Sequence, residues 1–171
     1  MTDVSDTSDP TTSSSFDVVL PEAGDTTSFG RRLAGLLRAG DLVLLSGGLG
    51  AGKTTLTRGI GEGLGVRGAV TSPTFVIARW HPSLSGGPAL VHVDAYRIDS
   101  LAEVDDLDLD ASLDASVTVV EWGDGKAEVL SGDRLEVTLR RGSDESDERR
   151  TAAVLAVGPR WSGVDLSVLT S

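Results

Sequence analysis

The segment DLVLLSGGLGAGKTT, Asp41 to Thr55, limits what this chain can fold into more than any other stretch. Asp41 to Ser46 is a continuous apolar run of strand length, the pattern of a parallel strand buried on both faces. A glycine-rich turn follows at once, and Thr54 to Leu64 then reads as a helix with Gly63 and Gly65 as stop signals. A doubly buried strand needs strands beside it and layers on both faces, so the chain must build an α/β sheet around this unit.

The turn, Gly47 to Thr54, satisfies G-x-x-x-x-G-K-[ST] in the strand-before, helix-after context that the motif requires. Chance matching in a chain with 21 glycines is the competing explanation, and the context argues against it. Glycines open backbone conformations closed to other residues, so successive N–H groups can turn inward on phosphate oxygens. The helix start adds free N–H groups and a positive dipole end. The predicted product is an ATP site made by Gly47, Gly48, Leu49, Gly50, Ala51, Gly52, Lys53, Thr54 and Thr55. Lys53 would lie along the β- and γ-phosphates, serving both binding and catalysis, and the Thr54 hydroxyl would coordinate a bridging Mg2+.

The rest of the chain fits this scheme. Residues 1–15 form a Ser/Thr/Asp tract without apolar periodicity, expected to be disordered, and residues 16–158 form the ATPase domain. Phe16 to Leu20 reads as a strand, and Ser28 to Ala39 carries Phe29, Leu33, Leu36 and Leu37 at helical spacing before Gly40. Thr71 to Arg79 (TSPTFVIAR) runs from loop to strand, and Leu90 to Val93 and Val117 to Val120 read as buried strands. Ser100 and Glu103 make a capping box for a helix through the acidic stretch Asp99 to Asp114. Arg134 to Arg140 and Thr151 to Val157 flank GSDESDE as a late antiparallel hairpin. The fold class is therefore α/β: a P-loop NTPase-like three-layer sandwich, its sheet mostly parallel with right-handed crossovers. Residues 159–171 are a tail to which no structure is assigned.

Composition excludes several functions. A chain of 171 residues suits one domain. No apolar run nears the roughly 18 residues that cross a bilayer. The start, MTDVSDTSDP, is acidic where a signal peptide is basic and then apolar, so a cytoplasmic protein without membrane contact is expected. The absence of Cys removes disulfides, thiolate zinc sites and cysteine nucleophiles. A net charge of −11 argues against a broad basic face gripping nucleic acid unaided.

A phosphate loop that works on magnesium needs acids nearby, and in parallel sheets these sit past the carboxyl ends of neighbouring strands. Asp94 and Glu121 are each the first acid after an apolar strand, so both are expected to serve the metal and the chemistry. A helix cap or a solvated position is the plain alternative for each. Thr74, in SPTF, would sense the γ-phosphate as switch loops do, or would simply sit in a turn around Pro73. Trp122 packs either near the nucleotide or in the core, and His92, between valines, reads as a core residue rather than a ligand.

Taken in order and spacing, GGLGAGKTT, SPTF, VHVDAYRI and VVEW resemble the TsaE (YjeE) family, ATPases of the tRNA threonylcarbamoyladenosine pathway. The resemblance spans roughly Phe16 to Val157. It implies a compact ATPase that binds a TsaB–TsaD complex and reaches tRNA through those partners. It also implies that Lys53 and Thr54 hold phosphate and metal, that Asp94 and Glu121 are metal-site or catalytic acids, and that Trp122 lies near the nucleotide. A threonine before the first helix, best matched by Thr26, and a basic residue of the late hairpin, matched to Arg149, would flank the base or phosphates. The family commonly reads GDLGAGKT, and Gly48 here replaces the acid.

A small nucleotide kinase also joins a P-loop to a D-x-Y-R-like segment, but kinases carry an arginine-rich lid. Between Glu121 and Leu139 only Lys126 and Arg134 are basic. A nucleotide-gated adaptor with negligible turnover is the third reading. A GTPase is disfavoured because no Asn exists for an Asn-Lys-x-Asp segment. Only Arg97 falls near a predicted active edge, so partner stimulation of hydrolysis is expected. Lys53→Ala, read as removing a charge from an exposed site, should abolish Mg-ATP binding in calorimetry while circular dichroism stays unchanged. Wild-type affinity in that variant would refute the phosphate-loop assignment.

Overall fold

Residues of the central strand settle the architecture. Leu42, Val43, Leu44 and Leu45 are all buried, which a strand achieves only in mid-sheet with both faces covered. The computed structural model describes residues 13–48, 50–68, 70, 78–94, 113–121, 132–144 and 146–170. Its strands are β1 (Ser13–Leu20), β2 (Leu42–Gly47), β3 (Ala78–His81), β4 (Ala89–Asp94), β5 (Ser116–Glu121), β6 (Arg134–Arg141) and β7 (Arg150–Val157). They form one mixed sheet in the order β1-β7-β6-β2-β5-β4-β3.

Parallel pairing is confined to the centre, where β6, β2, β5 and β4 run together; β7, β1 and β3 pair antiparallel at the flanks. The expected hairpin is β6 and β7, but β6 also lies parallel against β2. Its alternation marks it as one-faced: Leu135, Val137 and Leu139 are buried between half-buried Arg134, Glu136 and Thr138.

Helices α1 (Ala23–Ala34) and α2 (Lys53–Leu64) share one face of the sheet. Phe29, Leu33, Leu56 and Ile60 pack there on Val43, Leu45, Val119 and Val137. On the opposite face Leu42, Leu44, Val91, Val93 and Val120 are buried as well.

α1 starts and ends five residues earlier than apolar spacing suggested. Its start is set by a reciprocal cap in which the Glu22 N–H donates to the Asp25 carboxylate at 2.8 Å. Its end is set by tightening: the Leu36 and Leu37 N–H groups bond carbonyls three residues back, at 2.9 and 3.1 Å. Leu37 still reaches the core, which is why the apolar pattern outran the helix. β1 likewise begins at Ser13, ahead of Phe16, because its backbone continues the ladder with β7. The acidic stretch through Asp99 and its capping box lie outside the described residues, as do positions 71–77.

The end of the chain has structure. Residues 159–161 and 166–170 form 3-10 turns that bury Trp161, Leu166 and Leu169. Arg160 donates twice to the Asp41 carboxylate, both at 2.9 Å, and once to the Leu36 carbonyl at 2.9 Å. This buried fork ties the segment to the residue just before β2.

α1 and α2 touch backbone to backbone because glycines face each other. A methyl group on Gly59 would lie 2.3 Å from the Thr27 carbonyl oxygen, and one on Gly30 would lie 2.5 Å from that of Leu56. Glycine weakens a helix interior by roughly 0.5–1 kcal/mol, and here it brings α1 down onto the start of α2. Gly59→Ala should therefore destabilise the protein by about 1–3 kcal/mol despite its better helix propensity. Gly24→Ala, with nothing within 4 Å of the added methyl, should stabilise it by about 0.4–1 kcal/mol. Urea midpoints of the two variants check the opposite signs.

Candidate functional site

The loop between β2 and α2 is held in conformations that only glycine enters cheaply. Gly47 has φ 150°, and a Cβ on it would lie 2.6 Å from the Leu139 carbonyl of β6. Gly52, the residue before α2, is left-handed with φ 105° and offers α2 no side-chain cap. α2 also has no acid in its first turn, so its first N–H groups and positive dipole end are not neutralised by its own side chains. Gly48 is exposed, with nothing within 4 Å of an added Cβ, so the loop tolerates either glycine or the acid more usual in the resembled family.

Lys53 reaches back over this loop. Its Nζ donates to the carbonyls of Gly47 at 2.8 Å and Gly48 at 3.0 Å. The residue is only 7% exposed, which corrects the expectation of an exposed lysine. Burial lowers the pKa of its ammonium from the usual lysine value, while Glu121 and Asp94 act in the opposite direction. Truncation at Lys53 thus also strips partners from two loop carbonyls.

Both acids stand where the sheet topology puts them. Leu45 of β2 pairs with Glu121 of β5, and Glu121 pairs with Asp94 of β4, so the carboxyl ends of three parallel strands line one edge. The Thr54 hydroxyl, in the first turn of α2, donates to Glu121 Oε1 at 3.2 Å. The other oxygen, Oε2, lies 3.1 Å from His92 Nε2, and Glu121 is 2% exposed. His92 is buried, as its valine neighbours suggested, and the partner it meets in the core is an acid of the site.

The other expected residues fall in three groups. Gly47, Gly48, Gly50, Ala51, Gly52, Lys53, Thr54 and Thr55 form the loop and helix start, and Thr26 of α1 is buried with its methyl 3.6 Å from where a Gly52 Cβ would be. Leu49, Thr74 and Trp122 lie outside the described residues, as does Arg97. Arg149 is exposed beyond the end of β6, its carbonyl bonded by the Gly142 N–H. Sequence reasoning missed Arg141, whose Nη1 lies 3.3 Å from where a Gly50 Cβ would be. Register would have found it: Gly47 pairs with Leu139, two residues before Arg141, once β6 is placed beside β2.

Chemically, the site offers a glycine cradle and helix start for an anion, an ammonium, and a hydroxyl with two carboxylates for a hard cation. Among the described residues no three His, Asp or Glu side chains form a ready-made metal cage. Thr54, Glu121 and Asp94 carry the oxygen donors that Mg2+ would take alongside substrate phosphates.

The sequence model described as "Threonylcarbamoyl adenosine biosynthesis protein TsaE" matches residues 20–151. The chain is 68% identical over 142 residues to the tRNA threonylcarbamoyladenosine biosynthesis protein TsaE of Streptomyces coelicolor, covering 82% of this chain and 96% of that one. It is 37% identical to the Bacillus subtilis protein of the same name over 138 residues, covering 80% and 83%. The crystal structure of Bacillus subtilis YdiB superposes with a TM-score of 0.68 at 29% identity, covering 88% of this chain and 91% of that one.

Arg141→Ala should weaken ATP binding about tenfold or more, the worth of one charge-assisted contact, and Arg149→Ala should weaken it less. Calorimetric titration of both variants decides the matter, and the reverse order would return the role to Arg149.

Proposed function

The chain belongs to the TsaE family, and on that premise we propose that it is a Mg-ATP-binding ATPase acting in threonylcarbamoyladenosine modification of tRNA together with a TsaB–TsaD complex. The observation that carries this reading is the convergence of Lys53, Thr54 and Glu121 on one phosphate loop, with Asp94 beside them in register.

The loop N–H groups and Lys53 would hold the phosphates, and Thr54 with Glu121 and Asp94 would hold Mg2+. The cation, when bound, would neutralise charge on the phosphate oxygens. The protein's own contribution is position: the carboxylates are fixed at strand ends and reorganise little as charge develops. Arg141 would add a guanidinium beside the loop, replacing the earlier expectation that Arg97 alone approached this edge. Docking on TsaB–TsaD would complete the environment of the transferred phosphoryl group, and tRNA would be reached through those partners, in keeping with a net charge of −11. Among the described residues no helix is long and apolar enough to cross a membrane.

Asp94→Asn and Glu121→Gln are each expected to lower ATP hydrolysis about a hundredfold while changing ATP affinity far less. The purified chain should hydrolyse ATP slowly and be stimulated by TsaB–TsaD in a steady-state assay. A high basal rate indifferent to the pair would overturn the coupled mechanism, and phosphate transfer to a nucleoside monophosphate would install a kinase in its place.

A further inference from the structure

Glu121 occupies its position with both oxygens engaged, and the partner of the second is not explained by nucleotide binding. His92 lies on β4, two residues before Asp94 and on the same face, and is 0% exposed. Its Nε2 is 3.1 Å from Glu121 Oε2, while its Nδ1 is buried with no hydrogen-bond partner among the described residues. A carboxylate only accepts, so the Nε2 that faces it is the donor.

The arrangement is costly for a residue that merely fills space. An imidazole with one unpartnered nitrogen in a core is worth less than a leucine there, because a buried polar atom without a hydrogen bond costs stability. His92 holds Oε2 from the neighbouring strand, and Oε1 accepts from the Thr54 hydroxyl.

We propose that His92 is a positioning residue: by donating from Nε2 to Glu121 Oε2 it aims the other carboxylate oxygen at Thr54, where the metal is to be held. The inference rests on the proposed Mg-ATP site and adds a residue to it. Partners that orient a carboxylate ligand typically matter about 10–100-fold for metal affinity or activity.

The test compares His92→Leu, which removes the donor, with His92→Gln, whose amide nitrogen replaces Nε2. For each, ATP affinity without metal, Mn2+ affinity of the ATP complex by paramagnetic resonance, and kcat against KM are measured beside the wild type. His92→Leu should bind metal-free ATP as the wild type does, bind Mn2+ about tenfold or more weakly, and lose kcat with KM little changed. His92→Gln should recover most of both losses. Unchanged Mn2+ affinity and kcat in a folded His92→Leu would overturn the proposal, as would equal losses in both variants that track melting temperature. Nitrogen-15 spectra of the wild-type imidazole decide independently of whether the leucine variant folds: an Nε2–H tautomer that weakens in Glu121→Gln supports the role, and an Nδ1–H tautomer overturns it. A wild type that binds no Mg-ATP removes the parent reading, and the proposal with it, while leaving the His92–Glu121 hydrogen bond visible in those spectra.

Discussion

A buried ammonium must be compensated, and in this protein the compensation of Lys53 organises everything around it. Transferring an isolated charge from water into a protein interior is far costlier than folding can absorb unless partners are supplied. The Gly47 and Gly48 carbonyls supply two hydrogen bonds, at 2.8 and 3.0 Å, and the Glu121 and Asp94 carboxylates supply opposite charge. Those partners come from the loop and from the ends of two strands, so the site exists only if β2, β5 and β4 are parallel and in register. An incoming triphosphate would complete the same balance, since it competes for the ammonium with the loop's own carbonyls.

Positioning the lysine also requires α1. The glycine contacts between α1 and α2 press the two helices together, and the same approach brings Thr26 against Gly52 at the turn into α2. Beneath the sheet's other end, the Asp41–Arg160 pair fastens the closing segment to the start of β2. The central strand is thus secured at its entrance by an ion pair and at its exit by a loop whose carbonyls hold a lysine. Arg160 is 13% and Asp41 4% exposed at the side chain, so removing one partner alone would strand a charge in a poorly solvated place.

Much of this was legible in the chain. The strand, loop and helix from Asp41 to Leu64 could be read because an apolar strand run, a spaced motif and a helical stretch follow one another there. Asp94 and Glu121 could be read because each ends an apolar run. Other features belong to tertiary structure and have no local signal. Leu36 and Leu37 obey helical spacing but follow the helix in a tightened turn from which Leu37 is buried and Leu36 half-buried, so α1 was drawn too late. Arg141 reaches the loop only because β6 pairs with β2 across nearly a hundred residues, and a hairpin reading of β6 and β7 does not disclose that neighbour. His92 shows the clearest limit: its valine flanks predict burial correctly, but the acid it meets lies on another strand.

In the proposed site, Thr54 and Glu121 would mark where a cation meets phosphates held by Gly47 to Lys53. A crystal structure of the protein with Mg2+ and a non-hydrolysable ATP analogue tests it most directly. Mg2+ is expected at about 2.1 Å from Thr54 Oγ1, with phosphate oxygens and waters completing its shell. Glu121 should then lie on the metal or on its bound water, and Lys53 Nζ should have moved from the loop carbonyls to a phosphate oxygen. A nucleotide seated away from the loop, or a metal bound apart from both Thr54 and Glu121, would contradict it.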